Sequence, residues 1–235
     1  MSSKPPKSPH PHPNGLVIIP AWNEAGTIFD IVRSVKGNFS IDVLVVDDGS
    51  SDDTGDLAKA AGADVLRLPM NMGAWAATQT GFLYALARSY RMAVTMDADG
   101  QHLAESIPAL LDALISRKAD VVIGSNPERA SANRRMSWSF FRWLTGFDIE
   151  DFTSGFKAYN QKSMRLLLQR RAYFFDYQDM GTLLLLRRFG VRIIEIPVHM
   201  QKRRHGHSRI FSTWWQVFRY MMVSTVLCVS KYRHY

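Results

Sequence analysis

The feature that most constrains the fold is a regular alternation of short apolar runs with amphipathic stretches. The runs at residues 16–20, 43–46 and 93–96 have the length and the β-branched content of buried strands. Between the first two runs, apolar residues recur at helical spacing, namely Ile28, Ile31, Val32 and Val35. Strands that alternate with helices form a mostly parallel sheet with right-handed connections. We therefore predict an α/β fold in which helices flank a Rossmann-like sheet.

The same patterns predict the remaining elements. Further strands are expected at residues 65–68, 121–123 and 191–198, with a weaker one at 155–159. Further helices are expected at residues 74–89, 107–114, 138–144, 178–189 and 210–230, and a helix is expected to be capped by Ser50 or Ser51. A proline-rich tail at residues 1–13 has no apolar run, which predicts a disordered segment rather than a secretory signal.

Polar residues follow three of the predicted strands directly. They are Trp22-Asn23-Glu24, Asp47-Asp48-Gly49-Ser50 and Asp97-Ala98-Asp99-Gly100-Gln101. Ligands of such sheets bind outside the carboxyl ends of the strands. We therefore expect these three segments to meet at one ligand site.

The carboxylates of this site suit a hard divalent cation. Asp97 and Asp99 can share one Mg²⁺ or Mn²⁺, and Gln101 can add an amide oxygen. Such a cation neutralises the charge that grows on a departing diphosphate. Asp48 can accept the N–H of a uracil or guanine ring, and Glu24 is a second candidate for contact with the base or ribose. Alternatively, these acids serve only as turn and helix-cap residues.

Taken together, these blocks resemble a family 2 glycosyltransferase of the GT-A fold. Within that family, the chain is most similar to dolichol-phosphate mannosyltransferases and bacterial polyprenyl-phosphate glycosyltransferases. Two later blocks add to the likeness. The segment from Asp151 to Tyr159 is similar to the acceptor side of that group, with Lys157 where arginine is usual. Arg203, Gly206, Ser208 and Arg209 match its basic loop, with Arg209 in place of lysine.

The resemblance implies a GT-A domain at residues 14–210 that inverts the anomeric centre of a sugar from a UDP- or GDP-sugar. The implied acceptor is a polyprenyl phosphate, and Asp97, Asp99 and Gln101 are expected to hold Mg²⁺ or Mn²⁺. Asp99 and Asp179 are the implied catalytic residues, with Asp179 acting either as a base or by orienting a basic neighbour. The nucleotide sugar is assigned to Pro20, Trp22, Glu24, Asp47, Asp48, Asp97 and Ala98. The residues expected to bind the acceptor phosphate and the diphosphate are Arg142, Ser154, Lys157, Arg203, Ser208 and Arg209. Arg134 is a further candidate.

The distribution of charge along the chain indicates that its second half binds anionic partners. Residues 1–128 carry 10 Lys and Arg against 15 Asp and Glu, whereas residues 129–235 carry 19 against 6. The sequence predicts an amphipathic helix at residues 211–235, with Trp214 and Trp215 on its apolar face and Arg219 interrupting the apolar run. A span needs about 20 mostly apolar residues. We therefore expect this helix to lie on an anionic membrane surface, on its cytoplasmic face, or alternatively to pack on the domain itself.

Three other functions use some of the same features. A family 2 transferase acting on a glycan or protein hydroxyl needs a base, which Asp179 would supply. A sugar-phosphate nucleotidyltransferase expects a basic, glycine-rich loop after the first strand, but residues 21–27 have one glycine and no Lys or Arg. A nucleic-acid binder would explain the net charge of +8 but not the acids at successive strand ends, so no nucleic-acid partner is expected.

The chain also departs from the pattern of its group. The segment Asn71-Met72-Gly73-Ala74-Trp75 lacks the second glycine and the basic residue common in that loop. Trp22 replaces a more usual tyrosine, and Asn126 stands where arginine commonly follows Gly124-Ser125. These departures concern the sugar and the base more than the type of reaction.

Overall fold

The structure, a computed structural model, describes residues 14–126, 132–169 and 180–201, together with Met222 and Thr225; the side chains of residues 132–137 are excepted. Its strands are β1 (Gly15–Ala21), β2 (Asp42–Asp47), β3 (Asp64–Arg67), β4 (Met92–Thr95), β5 (Val121–Ser125), β6 (Lys157–Asn160) and β7 (Ile193–Pro197). Its α-helices are α1 (Ile28–Asn38), α2 (Thr54–Ala60), α3 (Ala74–Ala87), α4 (Ile107–Ser116), α5 (Ala132–Thr145), α6 (Gln161–Leu167) and α7 (Met180–Arg188). A short 3₁₀ helix at Ala104–Ser106 leads into α4.

The seven strands form one sheet in the order β3-β2-β1-β4-β6-β5-β7. β1 pairs in parallel with both β2 and β4, and β5 pairs in parallel with β7. β6 is antiparallel to both of its neighbours, β4 and β5. Because the order reverses direction between β1 and β4, the carboxyl ends of these two strands flank a topological switch point, where ligands of such sheets bind.

Alternate residues of the strands feed two separate cores. Leu16 and Ile18 of β1 face a cluster that includes residues of α3, α5, α6 and α7. Val17 and Ile19 face the opposite cluster, which includes residues of α1, α2 and α4. The strand period of two therefore buries both faces of the sheet, which explains why these strands read as continuous apolar runs.

The predicted α/β architecture with a mostly parallel sheet is confirmed. The antiparallel direction of β6 and the helix α6 were not predicted. The Asn160 side chain accepts the Ser163 N–H at 2.9 Å and so begins α6 directly after β6. The tail at residues 1–13 lies outside the described residues, as does the helix at 211–235 apart from Met222 and Thr225. Among the helices that are described, none combines the length and apolar character that a membrane span requires.

The expectation that Ser50 or Ser51 caps α2 is wrong. The helix begins at Thr54 with Asp53 in the cap position. The Ser50 hydroxyl instead accepts the backbone N–H of Asn23 at 3.0 Å, a contact across 27 residues of sequence. A local capping rule cannot detect this competing partner, because it is supplied by the loop after β1.

Candidate active site

The site lies at the edge of the sheet where β1, β2 and β4 end, called the carboxyl edge below. Trp22, Asp48 and Asp97 come within two residues of these strand ends. β6 runs the other way, so its first residue, Lys157, enters the sheet at the same edge, where it pairs with Thr95 of β4. The antiparallel strand thus brings the segment from Ser154 to Lys157 to the acids of the first half.

The loops after β1 and β2 are joined by several hydrogen bonds. The Ser51 N–H donates to the Asn23 side-chain oxygen at 2.9 Å, and the Glu24 N–H donates to the Thr54 hydroxyl at 2.8 Å. Asn23 has a positive φ of 53°, which asparagine tolerates better than most residues. With the backbone fixed in this way, the neighbouring Trp22 side chain stays exposed and Glu24 stays half-buried. Both residues thus lie at the carboxyl edge without being fully buried, and their contact with a nucleotide stays a prediction.

Asp47 is committed to contacts within the protein. Its carboxylate accepts the Ser50 N–H at 2.9 Å and the Arg67 Nε–H at 3.0 Å. Arg67, at the end of β3, also pairs with Asp56 of α2. Asp47 is buried, so we assign it to holding the turn and β3 in place rather than to direct contact with a nucleotide.

Asp48 is also buried, and it holds the loop before α3. Its two carboxylate oxygens accept the N–H of Met72 at 2.7 Å and of Gly73 at 2.8 Å. Burial raises the pKa of Asp48, the two N–H donors oppose that rise, and the charge of Asp47 adds to it. Gly49 follows with φ of +70°, and a Cβ there would lie 2.5 Å from the Met70 backbone. The loop at residues 70–73 therefore packs directly on the Asp48-Gly49 turn.

Substitution of Asp48 by Asn is expected to destabilise this loop. An amide has a single acceptor oxygen, so its NH₂ group would face one of the two backbone N–H groups that now bind the carboxylate. A buried donor left without a partner costs about 1–3 kcal/mol in the free energy of unfolding. Denaturant titration of Asp48→Asn should show this loss, whereas Asp53→Asn, at an exposed position that makes no side-chain cap hydrogen bond, should not. Equal stability of the two variants would contradict the role given to Asp48.

Asp97 and Asp99 follow β4 but differ in environment. The Asp97 side chain is 42% exposed, whereas Asp99 as a residue is only 5% exposed. Asp99 accepts the Gln101 N–H at 2.9 Å, which closes a tight turn through Gly100 at φ of 76°. Between the two acids, the Ala98 carbonyl accepts the Thr27 hydroxyl at 2.7 Å. This last contact ties the turn to the start of α1.

Gly155 lies directly against the Asp97 carboxylate. A Cβ atom at position 155 would come within 3.0 Å of both carboxylate oxygens and of Cγ. The neighbouring residues keep Gly155 in place, since the Ser154 hydroxyl donates to the Gly124 carbonyl at 2.6 Å and accepts the Phe156 N–H at 3.2 Å. The Asp97 side chain is thus confined on one side by a glycine of the predicted acceptor segment.

The oxygen atoms of these side chains suit a divalent cation that a substrate diphosphate would also bind. Carboxylate oxygens are hard ligands, and Mg²⁺ is often held by one or two carboxylates together with substrate phosphates and waters. Within the described part of the chain, no group of three or more His, Cys, Asp or Glu residues could hold a metal ion by itself. The pair of acids after β4, with Gln101 next to them, is therefore suited to a cation shared with substrate.

The other predicted phosphate ligands lie in different surroundings. Lys157 is only 1% exposed, at the start of β6. Ser154 is committed to the backbone contacts given above, so neither side chain is presented to solvent as a surface ligand would be. Arg142 lies near the end of α5 and donates to Ser139 at 3.2 Å.

Several predicted residues cannot be located at the site. Asp179, Arg203, Ser208 and Arg209 lie outside the described residues. Arg134 belongs to α5, but its side chain is not described. Sequence reasoning also gave no role to His102, which is buried against Asp97. The segment Asp97 to His102 contains that histidine, but its stacking partner Phe156 and its bridge partner Met200 belong to the second half of the chain.

The chain matches the family model described as "Glycosyl transferase family 2" over residues 16–178. An undecaprenyl-phosphate mannosyltransferase of Micrococcus luteus is 34% identical over 83% of this chain and 86% of its own length. A polyprenol monophosphomannose synthase of Mycolicibacterium smegmatis is 32% identical over 87% of this chain and 84% of its own length.

Solved structures share the same fold. Glucosyl-3-phosphoglycerate synthase from Mycobacterium tuberculosis, in complex with Mn²⁺, UDP and phosphoglyceric acid, superposes with a TM-score of 0.71 at 20% identity. That match covers 91% of this chain and 78% of the synthase. At 20% identity, this similarity establishes a shared fold and nothing more specific.

Proposed function

This chain belongs to glycosyltransferase family 2, and from that premise we propose that it transfers a sugar, with inversion, from a UDP- or GDP-sugar to a polyprenyl phosphate. The observation that carries the proposal is the position of Asp97 and Asp99. They lie at the carboxyl edge beside the switch point, and Asp97 touches the segment assigned to the acceptor. A donor bound to these acids would therefore present its sugar toward that segment.

The acceptor class is inferred from the relatives. The two described above, at 34% and 32% identity, are named for undecaprenyl phosphate and for polyprenol monophosphomannose, and each is covered over more than four fifths of its length. A third, from Methanococcus voltae, is named a dolichyl-phosphate N-acetylglucosaminyltransferase and is 25% identical. Lipid phosphate is common to these names while the sugar differs, so we propose the acceptor class and leave the sugar open.

The donor is proposed to bind across the loops after β1, β2 and β4. Asp97, Asp99 and Gln101 hold Mg²⁺ or Mn²⁺, which when bound offsets the charge of the leaving nucleoside diphosphate. Pro20, Trp22 and Glu24 contact the nucleotide. Asp47 and Asp48 act through the backbone that they hold, because both carboxylates already accept N–H groups of the protein.

A phosphate acceptor changes what the protein must supply. It is an anion at neutral pH, so attack on the anomeric carbon requires positioning and positive charge more than a general base. We propose that Arg203, Ser208 and Arg209 bind the acceptor phosphate and the donor diphosphate. Arg142 and Arg134 are further candidates for this role. Lys157 contributes its positive charge from within the sheet edge, Ser154 fixes the backbone of the acceptor segment, and Asp179 orients a basic neighbour.

The donor can be identified by thermal shift with UDP and GDP, each with and without Mn²⁺. A ligand that binds only the native state raises the melting temperature by mass action. We expect one nucleotide to stabilise the chain strongly, and only when Mn²⁺ is present. Transfer from the matching sugar nucleotides to a short-chain polyprenyl phosphate, compared with the dephosphorylated polyprenol, then tests the acceptor. Transfer to the alcohol at an equal rate would refute a phosphate acceptor.

A membrane surface is the proposed location of the acceptor, and α5 has a suitable face. Trp143 is 80% exposed and Phe140 is 38% exposed, with ring centroids 6.3 Å apart. The opposite face of α5 buries Trp138 and Phe141 in the core. The helix contains three arginines and no acid. Exposed aromatic rings on a helix that also carries basic residues are typical of interfacial binding.

Substitution of Phe140 and Trp143 together by Ser is expected to weaken binding to vesicles that contain phosphatidylglycerol. Exposed apolar rings gain free energy when they leave water for the acyl boundary, at roughly 25 cal/mol per Å². Vesicle co-sedimentation measures the partition coefficient. Phe29→Ser is the control, since Phe29 has a similar exposure of 39% but belongs to α1 in the other helix layer. An equal loss in both variants would contradict a contact specific to α5.

A further inference from the structure

One buried histidine beside the candidate metal site has no role in the proposed reaction. His102 follows the Asp97-to-Gln101 turn and is 6% exposed. Its Nδ1 accepts the backbone N–H of Asp97 at 3.1 Å, and its Nε2 lies 3.8 Å from Asp97 Oδ2. The two ring nitrogens thus face the backbone and the carboxylate of the same residue.

The hydrogen bond fixes the chemical form of the ring near Asp97. A nitrogen that accepts an N–H carries no proton, so a neutral His102 must carry its proton on Nε2. That nitrogen is the one nearer the Asp97 carboxylate, where an N–H dipole is electrostatically favourable. Both ends of the imidazole therefore favour one orientation of Asp97.

The ring itself is held by the acceptor segment. It stacks on Phe156, with ring centroids 4.9 Å apart and planes 12° from parallel. Phe156 directly follows Gly155, which leaves no room for a Cβ beside the Asp97 carboxylate. The Asp97 carboxylate thus lies close to both the imidazole of His102 and the backbone of Gly155, and these two residues are linked through Phe156.

The backbone of His102 reaches a third segment. His102 forms an antiparallel bridge with Met200, and the Gln201 N–H donates to the Gln101 carbonyl at 2.8 Å. Gln201 immediately precedes the basic segment that contains Arg203, Ser208 and Arg209. His102 therefore contacts the candidate metal ligand, the acceptor segment and Met200, which precedes the basic segment in the sequence.

We propose that His102 is a positioning residue that orients Asp97 toward the divalent cation through its Nδ1 acceptor. The inference rests on the proposed function, because it presupposes that Asp97 is a metal ligand. Partners that orient a ligand typically change metal affinity 10- to 100-fold when they are replaced. The expected effect therefore appears in cation binding itself, independently of turnover.

The test compares three variants by titration with Mn²⁺ in the presence of saturating UDP, and of GDP in parallel, followed by electron paramagnetic resonance. His102→Asn places an acceptor oxygen near the position of Nδ1, whereas His102→Gln places it near Nε2. His102→Phe keeps an aromatic ring on Phe156 but has no acceptor. We expect Gln and Phe to weaken Mn²⁺ binding about 10-fold or more, and Asn to keep most of the affinity. Melting temperature without metal monitors the fold.

The outcomes separate this inference from the proposed function. If the wild-type chain binds no Mn²⁺ with either nucleotide, the proposed metal site is wrong. If the wild type binds Mn²⁺ but Asn and Gln weaken binding equally, the Nδ1 acceptor does not orient Asp97 and the inference is wrong. If the Phe variant fails to fold, the comparison of Asn with Gln still decides, because both lose the ring and differ in where the acceptor lies.

Discussion

Substitution of Asp99 by Ala is expected to lower turnover by at least about 10²-fold, the loss typical when one group that stabilises a transition state is removed. Asp99 is buried at the proposed cation site, and its carboxylate accepts the Gln101 N–H. On the proposed assignment, the variant would lose a hard oxygen ligand of the cation that offsets the negative charge of the leaving diphosphate. Initial rates with saturating donor and Mn²⁺, together with a Mn²⁺ titration, measure the effect.

Asp120 provides a control for Asp99→Ala, because its carboxylate also accepts a backbone N–H group but lies away from the candidate site. It precedes β5, at the opposite edge of the sheet, and accepts the Arg192 N–H at 2.9 Å and the Asn160 amide at 2.7 Å. Burial raises the pKa of Asp120, but these donors and Lys162 outweigh that effect and lower it overall. Its ionised form therefore stabilises the fold above the ordinary pKa, and this contribution is lost as pH falls through the lowered value.

The two variants should separate activity from stability. We expect Asp120→Ala to unfold at lower denaturant concentration than Asp99→Ala while it keeps wild-type turnover at low temperature. Asp99→Ala should remain folded and lose turnover. Wild-type activity of Asp99→Ala in the presence of a chelator would overturn the assignment of the cation to this turn.

The strand ends of the first half were predictable because each strand is a short apolar run followed at once by polar residues. This local pattern was enough to bring Trp22, Asp48 and Asp97 to one edge, because all parallel strands end there. The second half was less predictable. β6 has only four residues, and its direction is decided by pairing with β4 and β5 across more than 30 residues of sequence.

The partners of the acids were not predictable for a related reason. Asp47 meets Arg67 and Asp48 meets Met72 across 20 and 24 residues, respectively. Adjacent acids before a glycine and a serine fit a nucleotide contact, a turn or a cap equally well, and only the packed loop shows that both carboxylates hold backbone. The loop after β3, which lacks a glycine and a basic residue common in similar glycosyltransferases, therefore lies at the carboxyl edge. Asp48 fixes the backbone of this loop there.

Substitution of Gly155 by Ala is expected to lower turnover by about 10²-fold, as displacement of a reacting group by about 1 Å can do. The added Cβ would lie within 3.0 Å of the Asp97 carboxylate, a distance that Cβ atoms do not tolerate. The backbone around Gly155 is held by the hydrogen bonds of Ser154 and Phe156, so the Asp97 carboxylate is the group that must move. Weaker Mn²⁺ binding should accompany the loss of turnover.

Gly37→Ala is the matched control for this effect. Gly37 lies within α1, and a Cβ there would meet nothing within 4 Å. Alanine within a helix is more favourable than glycine by roughly 0.5–1 kcal/mol. Because Gly37 is the penultimate residue of α1, we expect this variant to be at least as stable as the wild type and fully active. If Gly155→Ala kept wild-type turnover and Mn²⁺ affinity, the Asp97 carboxylate would not bind the cation in the orientation that this structure gives it. Because the His102 Nε2 lies 3.8 Å from the same carboxylate, that result would also remove the reason for the orienting role of His102.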